Sequence, residues 1–302
     1  MPDIMGVNDI AFPHLGIYLK NLPKSFSVFG FEIAFYGLII GIGVMLGVLM
    51  AVRMAKSEEM NTDIIWDFGI YAVIFSVIGA RIYYVFFSWN LYKDNLLSVF
   101  NLRQGGLAIY GAVIAAFITL FVYSHIKKLS PYQIGDCGVY GLILGQIIGR
   151  WGNFFNREVF GGYTDSVFAM RLPVEAVRPG DIAQSHIDGM AAMGDVNFIQ
   201  VHPTFLYEGV WNLVILIIML LFHKRKKYHG QMCLFYLGGY GIGRFIIEGI
   251  RTDRLLIPGT QVAVSQVLGL VMFIFAIILN TIMRLRLSKI SNNTEKGDRD
   301  ND

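Results

Sequence analysis

The amino-acid sequence predicts an all-α polytopic membrane protein with seven transmembrane helices and a small extracytoplasmic head. Three observations predict it. The 302 residues are 55% hydrophobic and 16% charged, well under the roughly 25% charge of soluble domains. Seven windows approach the roughly 20 apolar residues that a membrane helix needs. Lysine and arginine cluster after every second window, as they do when alternate loops stay in the cytoplasm.

The windows run at about 33–52, 64–87, 107–123, 134–149, 206–222, 231–249 and 262–283. Glycines four apart mark the first (Gly37 with Gly41, Gly43 with Gly47) and the fourth (Gly141, Gly145, Gly149). That spacing lets helix backbones approach closely. The basic clusters Arg53/Lys56, Lys127/Lys128, Lys224 to Lys227 and Arg284/Arg286/Lys289 follow windows one, three, five and seven. They assign those loops and the C-terminus to the cytoplasm, and the N-terminus and the stretch from Arg150 to His202 to the outside. Residues 157–201 read as the head, inserted in one transmembrane domain of residues 1–290, and residues 291–302 as a disordered cytoplasmic tail. The first 30 residues lack the basic start and apolar core of a signal peptide.

The net charge of +3 resides in the basic loops, which fit acidic lipid headgroups and imply no nucleic acid. Cys137 and Cys233 lie in separate windows, form no CxxC and read as packing residues. HExxH and GxSxG patterns are absent, which removes the usual zinc-protease and serine-elbow chemistries. Neither a metal nor a cofactor is implied.

Ionisable groups inside membrane windows are costly and usually line a polar interior. The stretch "GRWGNFFNREVFG", Gly149 to Gly161, places Arg150, Asn153, Asn156, Arg157 and Glu158 at the mouth of window four. A continuous helix would set Arg150, Asn153 and Arg157 on one face. In window six, Tyr240, Arg244, Glu248 and Arg251 fall at i, i+4, i+8 and i+11, a single polar stripe. Arg81 lies near the outward end of window two, and "RQGGLAIYG" places Tyr110 about one turn inside window three. Arginine grips phosphate through paired hydrogen bonds, so an arginine-lined cavity within lipid predicts an anionic phospholipid ligand.

The first of these stretches matches at every fixed position the pattern G-R-x-G-N-F-x-N-x-E-x-x-G of the bacterial prolipoprotein diacylglyceryl transferases, which the chain resembles. "FYGLIIGIG", "GARIYYV", "GGLAIYG", "HPTFLYE" and "YGIGRFIIEGIR" extend the likeness over most of the sequence. The resemblance implies transfer of diacylglyceryl from phosphatidylglycerol to the lipobox cysteine of a prolipoprotein signal peptide in the bacterial plasma membrane, with glycerol phosphate released. It implies that Arg150 and Arg244 bind the headgroup and that Asn153, Glu158, Gly161 and Tyr36 are required. Glu248, Arg251, Tyr240 and Arg81 complete the expected substrate site. Many family members carry histidine where Tyr110 stands, so a histidine base is not available at that position, and Tyr110 is expected to position substrate. The competing reading is a transporter of anionic headgroups, against which stands the lack of an internal repeat.

Overall fold

The computed structural model describes residues 6–102 and 105–299, with side chains through Ile290. Arg103 and Gln104 of the "RQGGLAIYG" stretch and residues 300–302 lie outside the described residues. Among the described residues eight α-helices follow four short strands and enclose two more. The long helices are α1 (Phe35–Ser57), α2 (Thr62–Phe87), α3 (Ile109–Lys127), α4 (Pro131–Asn156), α6 (Thr204–Phe222), α7 (Gln231–Glu248) and α8 (Val264–Arg299), with the short α5 (Gln184–Met193) between α4 and α6. Among the described residues five helices, α1, α2, α3, α6 and α8, are long and apolar enough to cross a membrane. Side chains such as Val271, Phe275 and Ile278 of α8 stay more than half exposed, which suits a lipid solvent. Helices α4 and α7 fall short of that apolarity because they carry Gln146, Arg150 and Asn153 or Arg244 and Glu248 among many glycines. Helix α4 extends past the predicted window at both ends and takes in the whole of the "GRWGNFFN" stretch. Backbone helix in α8 continues through Arg299, beyond Ser291, where the sequence predicts an irregular tail. A helix already nucleated propagates at little cost.

The chain divides into two compact units, Val48–Gly141 and the remainder, with boundaries inside α1 and α4. In the first unit α2 and α3 pack backbone to backbone. A Cβ added at Gly79 would lie 2.7 Å from the carbonyl oxygen of Gly111. The Arg81 guanidinium is spent on main chain: it donates to the carbonyls of Ser98, Val99, Asn101, Gly105 and Gly106 at 2.7 to 3.2 Å. It thereby holds the connection between α2 and α3. Tyr110, in the first turn of α3, sits against Tyr83 at a ring-centroid distance of 6.3 Å.

The larger unit carries a sheet. Strands β1 (Ile10–Phe12), β2 (Ile17–Leu19), β5 (Met170–Pro173) and β6 (Phe198–Val201) form an antiparallel sheet in the order β2-β1-β5-β6. The N-terminal segment therefore shares one sheet with the predicted insertion. Its core of Ile10, Phe12, Leu172, Ile199 and Val201 continues into Phe154 of α4 and Phe205 of α6, which fixes the sheet to the ends of both helices. A separate hairpin, β3 (Ser25–Val28) and β4 (Phe31–Ala34), precedes α1. Two of the predicted glycine seams meet: a Cβ on Gly43 of α1 would lie 3.3 Å from the Gly145 carbonyl oxygen of α4, whereas Gly37 and Gly41 face open space.

Candidate active site

Helix α4 stops at Asn156 because Arg157 adopts a left-handed backbone, φ 54°, as does Val159 at φ 59°. The single face expected of Arg150, Asn153 and Arg157 is thus broken. Arg157 is 2% exposed and turns to the carbonyls of Asn8, Leu22 and Phe155 at 2.6 to 3.1 Å. It pins the N-terminal strands to the end of α4. Burial lowers its pKa from the ordinary value, with Asp9 partly opposing.

The turn that removes Arg157 brings Glu158 back over the helix end. Asn153 then bridges two charges: its Oδ1 accepts from Arg150 at 3.3 Å and its Nδ2 donates to Glu158 at 3.1 Å. Only that amide orientation matches a donor with a carboxylate and an acceptor with a guanidinium. Glu158 also accepts from Asn156 at 3.4 Å and pairs with Arg178 at 3.1 Å. Tyr36 of α1 packs its ring on Gly152, where a Cβ would lie 2.8 Å from the ring. Any side chain there would push the tyrosine away from α4.

Arg150 from α4 and Arg244 from α7 meet on one residue, Glu208 of α6. Arg150 lies 2.5 Å from Glu208 and Arg244 3.5 Å from it, while Arg244 also lies 2.6 Å from Glu248. Arg251 adds a third guanidinium at 3.9 Å from Glu208 and 3.6 Å from Glu248, held in a two-point pair with Asp253 at 2.7 and 2.9 Å. Burial works against the charge on Arg251, but Asp253, Glu248 and Glu208 outweigh it and raise its pKa above the ordinary value. Side chains of Arg150 and Arg244 stay 18% and 20% exposed, whereas those of Glu208 and Glu248 are 5% and 3% exposed. The carboxylates therefore sit behind the guanidiniums, and the accessible face is cationic. Tyr240 stacks on Tyr236 at 5.6 Å, and Gln146 donates to the Tyr236 hydroxyl at 2.8 Å.

Glu208 is the residue that motif reading passed over. "HPTFLYE" contributes to the resemblance, but the lone acid near the start of a helix of mean hydropathy 2.2 was itself the signal. Glu208 Oε1 and Glu248 Oε2 face guanidiniums, whereas Gln146 Oε1 and Asn212 Nδ2 are buried without a hydrogen-bond partner. Such atoms are rare in native interiors and point to a polar ligand or water. Among the described residues no group of three histidine, cysteine or acidic side chains is placed to hold a metal ion.

Gly161 closes the signature by joining it to the Arg251 segment. It pairs with Arg251 in an antiparallel bridge, its N–H donates to the His202 carbonyl at 3.0 Å, and the next N–H donates to Ile250 at 3.1 Å. A Cβ on Gly161 would lie 2.8 Å from His202 Cβ and 2.9 Å from the Ile250 carbonyl oxygen. The Gly161 carbonyl accepts from His186 Nε2 at 3.0 Å, while His186 Nδ1 accepts the Ala183 N–H. Only the neutral Nε2–H tautomer serves both contacts, and burial lowers the His186 pKa despite the opposing bond to Gly161.

The family model described as prolipoprotein diacylglyceryl transferase matches residues 23–282. Proteins named phosphatidylglycerol--prolipoprotein diacylglyceryl transferase are similar along nearly their whole length. The one from Clostridioides difficile is 38% identical over 89% of this chain and 96% of its own. That from Finegoldia magna is 40% identical over 84% and 93%, and that from Listeria welshimeri 38% over 88% and 91%. The chain therefore belongs to the prolipoprotein diacylglyceryl transferase family and is a multi-pass bacterial membrane protein.

Proposed function

We propose that the chain moves the diacylglyceryl group of phosphatidylglycerol onto the lipobox cysteine of prolipoproteins. The observation that carries the reading is the partly exposed face of Arg150 and Arg244 over a shared, buried Glu208. The activity for which its relatives are named supplies the substrates. In the reaction the cysteine sulfur, as thiolate, attacks the sp3 carbon of the glyceryl unit that carries the phosphate. The carbon–oxygen bond breaks, its electron pair stays on the phosphate oxygen, and glycerol phosphate departs. No carbonyl is attacked, so no serine nucleophile is needed.

Two demands fall on the protein. Charge gathering on the departing phosphate meets guanidiniums already fixed in place, where one such donor is worth about 3 kcal/mol. The thiol proton, held with a pKa of about 8.5 in water, is lost more readily beside a cationic face. Glu158 is already engaged by Asn153, Asn156 and Arg178, so its role in this reading is to hold Asn153 and, through it, Arg150. Helices α4 and α7 count here as membrane spans, giving seven, with the N-terminus and sheet outside and the C-terminus in the cytoplasm. With 18 residues α7 is about 27 Å long, close to the hydrocarbon thickness.

Purified protein in phosphatidylglycerol nanodiscs, supplied with a lipobox peptide, tests the reading. A mass gain of one diacylglyceryl group on the cysteine is expected. In sealed vesicles, movement of phosphatidylglycerol between leaflets with the peptide left unmodified would replace the transferase by a transporter.

A further inference from the structure

Away from the arginine cluster, the turn between α6 and α7 lines an open cavity of about 500 Å3. Five basic side chains line it, Lys224, Arg225, Lys226 and Lys227 from the turn and Arg284 from α8, and among the described residues no acidic one does. We infer that this cavity binds the phosphate of an anionic phospholipid, as a site separate from the one for transfer.

A basic loop alone orients a membrane protein and needs no cavity. Here three further features converge. Arg284 reaches the same space from a different helix, so the charge is gathered in three dimensions and does not merely run along the sequence. The cavity also takes in the start of α7, where Gln231 and Met232 line it and no side chain of the described residues caps the helix. Main-chain N–H groups and the positive end of the helix add to the attraction for an anion. Finally, the turn is braced. Gln231 accepts the Lys227 N–H at 2.7 Å and donates to Asn280 of α8 at 3.3 Å, and Tyr228 donates to the same Asn280 oxygen at 2.7 Å. The cations are thus held on a fixed frame before any ligand arrives.

An apolar wall decides between a lipid and a free phosphate. Phe222 and Phe235 stack at 6.2 Å, both remain exposed, and the Arg225 guanidinium stands 5.7 Å above the Phe222 ring. Inorganic phosphate would leave that wall unused. A phospholipid would place its phosphate among the cations and its acyl chains along the phenylalanines.

Native mass spectrometry of the full chain in a neutral detergent tests the site, with phosphatidic acid as probe because it lacks the glycerol headgroup of the transfer substrate. Phosphatidic acid should bind the wild type and also Arg150→Ala/Arg244→Ala, in which the other cationic site is disabled. Lys224→Gln/Lys227→Gln/Arg284→Gln should bind it at least about tenfold more weakly. Phosphatidylcholine should bind weakly to all three, and millimolar inorganic phosphate should not displace the lipid. If the triple variant does not fold, the exposed single change Arg284→Gln should still weaken binding about threefold. Wild-type affinity should also fall steeply as salt rises from about 50 to about 500 mM. Unchanged affinity in both basic-pocket variants, equal binding of phosphatidylcholine, or displacement by phosphate would each overturn the inference. Transferase activity is scored separately, so failure here leaves that reading untouched.

Discussion

A single buried carboxylate, Glu208, sets how the arginines stand. Without it, Arg150, Arg244 and Arg251 would repel one another in a space of low dielectric. Glu208→Gln keeps the shape and removes the charge, so it should cost about 3 kcal/mol or more of stability, seen as a lower midpoint of thermal unfolding in detergent. An unchanged midpoint would show that the three guanidiniums do not depend on it. Arg150→Lys should reduce kcat/KM about a hundredfold while the protein still inserts, because a point charge cannot span Asn153 and a phosphate as a planar fork does; steady-state kinetics with a lipobox peptide reads this. Arg150, Asn153, Arg244 and Glu248 were legible in the sequence because polar groups stand out against an apolar background. The placement of Arg157 was not, since a left-handed residue at a helix end depends on what the freed side chain can reach. Here it reaches carbonyls of the N-terminal segment, about 150 residues away in the sequence.

At the level of elements, the signature is a helix end followed by a strand-like segment, and the two halves do different jobs. The helical half carries Arg150 and Asn153, while Gly161 aligns the loop with Ile250 and Arg251. Gly161→Ala drives a methyl group into His202 and the Ile250 carbonyl, so it should cut transfer at least about tenfold while expression persists; membrane-fraction assays normalised to protein check this. His186 supports the same loop in its neutral form. Below about pH 6.5 the unfolded chain takes up a proton that the buried ring refuses, so the unfolded state binds more protons and stability falls with falling pH. The thermal midpoint should therefore drop between about pH 7.5 and about pH 5, and His186→Gln should flatten that slope. His202, also lowered by burial, adds a residual slope of the same sign. The seven apolar windows marked the long helices to within a few residues at most ends. The sheet escaped notice because β1 pairs with β5 across the whole of the first four helices, and no local pattern announces such a pairing.

For the molecule as a whole, apolar faces turned outward and polar groups gathered on α4, α6 and α7 give a protein whose solvent is lipid and whose chemistry is ionic. In intact cells, with Cys137 and Cys233 replaced, a cysteine at Phe29 should react with a membrane-impermeant maleimide and one at Lys128 should not; the reverse pattern would invert the proposed orientation. Composition and loop charge made the membrane class readable at once. The meeting of α4 and α7 on α6 needed coordinates, because it depends on which faces three separate helices present to one another. The central claim is that Arg150 and Arg244 grip one phosphodiester together, and a double-mutant cycle on kcat/KM with Arg150→Lys, Arg244→Lys and the pair tests it most directly. A coupling of about 1 kcal/mol or more is expected, whereas losses that add to within about 0.5 kcal/mol would mean that the two arginines act on separate groups.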